Sequence, residues 1–85
     1  MRSLEELRIR ATEPLKSVGK RLRSRCVEIA RTKSPSAAFD LSLQAARMVG
    51  CEQQKADNVA KATRWLAIIR RDYGQDAFDK TVEGW

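Results

Sequence analysis

Apolar residues recur three and four positions apart along almost the whole chain, and nowhere do they alternate with polar residues for the length of a strand. That spacing confines the chain to helices. β-Branched residues are sparse, and Ala, Leu, Arg, Gln, Glu and Lys, all good helix formers, dominate. Eighty-five residues make one domain, 1–85, with a single small core. Such a core buries roughly 60–65% of the unfolded surface. Hydrophobic residues make up 42% of the chain, enough to offset chain entropy, so disorder throughout is not expected. No apolar run reaches the roughly 18 residues of a membrane-spanning helix. The start, Met1-Arg2-Ser3-Leu4-Glu5-Glu6, turns acidic and amphipathic at once and lacks an apolar signal core. A cytoplasmic location is the expectation.

Local punctuation divides the chain into four or five helices. Thr12-Glu13-Pro14 reads as a helix start, with threonine as N-cap and proline in the first turn. Ser34-Pro35 repeats that signal. Gly50 and Gly74 sit where helices stop. The expected helices are 3–11, 13–32, 35–49, 52–73 and 75–83. Leu4, Leu7 and Ala11 share a phase with Leu15, Val18, Leu22, Cys26 and Ile29, so residues 3–32 are either two helices or one helix kinked at Pro14. In the third helix Phe39, Leu41, Leu43, Ala45, Ala46, Met48 and Val49 cover most of the circumference. The expected fold is therefore all-α, a compact bundle with a central apolar helix at about 35–49. The fourth helix places Val59, Ala62, Trp65, Leu66, Ile69 and Tyr73 on one face, with Ile68 among the charges opposite. Trp65, Tyr73, Phe78 and Trp85 are expected to pack together and close the C-terminal end.

The absence of histidine removes histidine-based triads, histidine-ligated zinc and a histidine pH switch. Cys26 and Cys51 have no metal-ligand spacing, and two thiols cannot close a zinc site in one chain. Cys26 lies on the apolar stripe and reads as a small buried hydrophobe, reduced rather than disulfide-bonded. No glycine-rich phosphate loop or paired-carboxylate motif is present, and nothing activates a Ser, Cys or Lys. No enzymatic activity, cofactor or metal is expected.

Charge is the most uneven property. The net charge is +6. Residues 1–33 hold ten Lys/Arg against four Glu, whereas 34–85 hold seven of each sign. On the second helix Lys16, Lys20, Arg23 and Arg31 fall within an arc of roughly 80° opposite the apolar stripe. Such a stripe attracts nucleic acid, an acidic protein or an anionic bilayer. The bilayer ranks last, because the apolar face has no bulky aromatic and is needed for the core.

Residues 42–61 read SLQAARMVGCEQQKADNVAK. Ala46 and Gly50 stand at the fifth and ninth positions of that segment, and Ala45, Val49, Cys51, Ala56 and Val59 at its fourth, eighth, tenth, fifteenth and eighteenth. The pattern resembles the helix-turn-helix of phage-repressor-type DNA-binding proteins, although Ala56 is smaller than usual there and the second helix longer. The resemblance implies two helices meeting at a steep angle. It also implies that Glu52, Gln53, Gln54, Asp57 and Asn58 face a major groove, with Lys55, Lys61 and Arg64 on the phosphates. A small DNA-binding regulator follows, with DNA a more natural partner than RNA. It would be a homodimer, because such proteins read paired half-sites; Ile68 and Trp85 are candidate dimer contacts. The other reading is a non-enzymatic interaction or inhibitor module that docks its cationic helix on an acidic protein or nucleoprotein. The excess cations and the helix-turn-helix segment lie on different helices, and the choice turns on whether they share a face.

Overall fold

The computed structural model describes residues 2–85. The described residues form five helices: α1 (Leu4–Lys16), α2 (Lys20–Thr32), α3 (Pro35–Met48), α4 (Gln53–Tyr73) and α5 (Gln75–Val82). There is no strand among the described residues. The expected all-helical bundle is thus the observed one.

Three helix starts follow directly from their capping residues. Ser3, Ser34 and Glu52 each accept a hydrogen bond from the backbone N–H three residues on, which satisfies one free donor of the first turn. Pro35 takes the first position of α3, as expected. The end of α3 is closed by a paired motif. The Gly50 N–H donates to the Arg47 carbonyl and the Cys51 N–H to the Ala46 carbonyl, both at 3.1 Å, with Gly50 at a φ of +84°.

The first break does not fall at Thr12–Pro14. Thr12 is no N-cap, and Pro14 lies inside α1. The chain turns instead at Ser17-Val18-Gly19, so residues 3–32 form two helices with a later boundary. α1 ends two residues beyond Pro14, and the Ser17 hydroxyl and N–H both donate to the Pro14 carbonyl. Extending α1 to Lys16 keeps Leu7, Ala11 and Leu15 on one buried stripe.

α4 is the hub. It packs against all four other helices and buries eight residues, among them Val59, Leu66 and Ile69. The central position expected of residues 35–49 belongs to this helix. α3 buries only Ala38, Ser42 and Ala46, a narrow stripe of small side chains. Small residues let two helix backbones approach closely, and α4 buries small side chains of its own, Ala56, Ala60, Thr63 and Ala67. The larger apolar residues of α3 are displaced to its flanks: Leu41 and Leu43 are half-buried, Met48 is 86% and Val49 65% exposed.

α3 and α4 run side by side in opposite directions. They meet at the turn, and they meet again far from it. The Arg64 guanidinium lies 5.7 Å from the centre of the Phe39 ring, and Ser34 and Pro35 share one depression with Arg71. Pro35 is about 20 Å and Arg71 about 27 Å from the turn along their axes at 1.5 Å per residue. A steep corner would hold those ends far apart. The chain therefore makes a helical hairpin at 42–61, and Val49, at the eighth position of that segment, is exposed.

The aromatic residues do not form one cluster. Trp65 and Tyr73 line a depression with Arg2 and Leu7, and the Tyr73 hydroxyl donates to the Arg2 carbonyl. Trp85 lines a second depression with Val27 and Val82 on the α2 side. Phe78 is fully buried, beneath the guanidinium of Arg31 at 5.0 Å.

Candidate interaction surface

The turn splits Lys16 from the expected stripe and α5 engages Arg31, whereas Lys20, Arg23 and Arg31 remain together on α2. Lys16 ends α1, whereas Lys20 begins α2; both are exposed. Arg23 is half-buried in the depression beside Trp85. Arg31 is held structurally: it pairs with Asp79 of α5 at 3.4 Å and with Glu28 at 3.7 Å while it covers Phe78. It pins α5 to α2, so its charge is already answered within the chain.

The residues expected to read a groove fare unevenly. The Gln53 amide accepts from Arg47 at 3.2 Å and donates to Asp57 at 2.8 Å, which occupies its recognition edge. Glu52 caps α4. Gln54, Lys55, Asn58 and Lys61 are exposed. Arg64 is stacked against Phe39 and Trp65, with its Nε buried and without a hydrogen-bond partner among the described residues. Ile68 and Trp85, the candidate dimer contacts, are half-buried and pack against the core. Neither stands free on the surface.

The structure brings forward two arginines that the stripe omits. Arg21 and Arg25 are exposed, four residues apart on α2, on the side that faces α3. Arg25 lines a depression of about 260 Å³ with Leu41, Gln44, Ala45, Met48 and Val49. Arg21 and Lys55 line an adjoining one of about 380 Å³ with Val18, Leu22, Val49 and Cys51. Val49 lines both, so the two adjoin at that residue. Among the described residues no acidic side chain lines either one. Arg21, Arg25 and Lys55 make no side-chain hydrogen bond or ion pair among the described residues. The sequence signal for Arg21 and Arg25 was their i, i+4 spacing. It was hidden because a stripe drawn opposite the apolar face looks past residues at the edge of the core.

The start of α2 reinforces this charge. Its N-cap is Gly19, which offers no side chain, and its first turn holds no acid but Lys20, Arg21 and Arg23. These cations stand at the positive end of the helix dipole, where a carboxylate is favoured. Cys51 contributes a half-buried thiol to the surface, whereas Cys26 is fully buried beneath it, and burial pushes its thiol up from the ordinary value. Both cysteines are free.

Among the described residues no group of His, Cys, Asp and Glu is arranged to hold a metal ion, and no helix is long and apolar enough to cross a membrane. Comparisons with protein-family models, with curated proteins and with solved structures find no match for this chain.

Proposed function

We propose that this protein is a small non-enzymatic interaction module that docks an acidic protein partner on the face shared by α2 and α3. One observation carries the reading: Arg21 and Arg25, free of acidic partners, frame exposed Met48 and Val49. Cations that bind phosphate alone gain nothing from an apolar floor. A protein partner uses both parts, the apolar residues for affinity and the cations for approach and register.

A DNA-binding regulator is the second reading. It is favoured by the meeting of Arg21 and Lys55 on one surface, which joins cations of α2 to those of α4. The hairpin course of α3 and α4 weighs against it, because α4 is not set off at a steep angle for insertion into a groove. Its Gln53 amide is also engaged within the chain.

Titration of the full chain with an acid-rich peptide and with a mixed-sequence DNA duplex, each at two salt concentrations, separates the readings. Peptide binding that is lost in Arg21→Glu/Arg25→Glu supports the interaction module. Tighter binding to the duplex with a steep salt dependence, or no binding to the peptide, overturns it.

A further inference from the structure

The surface between α2 and α3 is specific about the shape of what it would take. Leu41, Ala45 and Met48 follow one another at i, i+4 and i+7 on the outer flank of α3, with Val49 beside them. From Leu41 to Val49 they span about 12 Å, two helical turns. Arg25 stands on one edge of this stripe; Arg21 and Lys55 stand around its far end. The floor is apolar, the rim is cationic, and the walls are two helices.

Strand addition needs an unpaired sheet edge, and there is no strand among the described residues. A groove between helices instead accepts the ridge of a third helix. A second copy of this chain is disfavoured, because it would set Arg21, Arg25 and Lys55 of each copy against a like-charged surface.

We infer that this groove binds an acidic amphipathic helix of a partner protein, with apolar residues at i, i+3/i+4 and i+7 seated on Met48, Val49 and Leu41 and with carboxylates against Arg21, Arg25 and Lys55. The inference rests on the interaction-module reading and adds the conformation and pattern of the partner segment.

The probe is a capped acidic peptide of about 20 residues, above the length at which isolated helices are marginal, with leucines on one helical face. Its control is an isomer of the same composition in which the leucines no longer share a face. The full chain is titrated with both, and with vesicles of anionic phospholipid. The amphipathic peptide is expected to bind at least about tenfold more tightly than its isomer, a difference of roughly 1.4 kcal/mol. Met48→Ser/Val49→Ser should remove that preference, and Arg21→Glu/Arg25→Glu should weaken both peptides. All four side chains are exposed, so these variants keep the fold, which circular dichroism checks. Equal binding of the two peptides overturns the helical groove and leaves an acidic partner standing. Binding of neither peptide overturns both. Vesicle binding that exceeds peptide binding, and that is lost in Met48→Ser/Val49→Ser, assigns the surface to a membrane and overturns the inference.

Discussion

α3 and α4 form one hairpin, yet they stand in opposite relations to the rest of the molecule. α3 is the more apolar of the two along its sequence, and α4 carries lysine, arginine, aspartate and glutamine through much of its length. The polar helix is nevertheless the centre. What matters is the arrangement of apolar residues rather than their number. α4 has two adjoining buried stripes, one small (Ala56, Ala60, Thr63, Ala67) and one large (Val59, Leu66, Ile69), and it serves several neighbours at once. α3 has one narrow buried stripe, and its larger side chains are left at the margins. A helix that is apolar nearly all round but seated against the bundle on one narrow stripe holds apolar surface in reserve, and here that reserve adjoins unpaired arginines.

Three substitutions test this contrast. Leu66→Ala, at the fully buried centre of α4, should cost about 2–5 kcal/mol in denaturant unfolding, because the cavity cannot collapse among four packed neighbours. A loss below about 1 kcal/mol there would deny α4 its central role. Ala46→Leu, on the small seam of α3, should cost about 1–3 kcal/mol by forcing the two helices apart. Indifference at this site would mean that the hairpin is loosely packed. Met48→Ser, on the exposed flank, should change stability by less than about 0.5 kcal/mol. A large loss there would show that Met48 is part of the core and would remove it from the docking surface.

Much of the local structure was legible along the chain. Ser34 caps α3 with Pro35 behind it, and Gly50 closes that helix with a positive φ, as their positions predict. The buried stripe Leu15, Val18, Leu22, Cys26 and Ile29 is buried as its spacing predicts, even though a turn divides it. That same continuity hid the turn, because Leu15 and Leu22 keep one phase across a break at Ser17–Gly19. Extending a wheel through the break placed Lys16, Lys20, Arg23 and Arg31 on one face. The break takes Lys16 off that face, and Asp79, 48 residues after Arg31, answers the charge of Arg31.

The candidate surface was legible only in part. The excess of cations on residues 15–33 and the apolar character of 35–49 were both plain from the amino acids. Their meeting was not, because Arg25 and Met48 become neighbours only when α2 lies along α3. Helix formation, capping and charge density depend on residues within about four positions of one another, so they are written in the chain itself. Which helix is central, which cations stay unpaired, and whether 42–61 makes a corner or a hairpin depend on how side chains of distant segments fit together. The narrow buried stripe of α3 bears on the last of these: with Ala38, Ser42 and Ala46 seated in the bundle, Met48 and Val49 are left exposed beside Arg25.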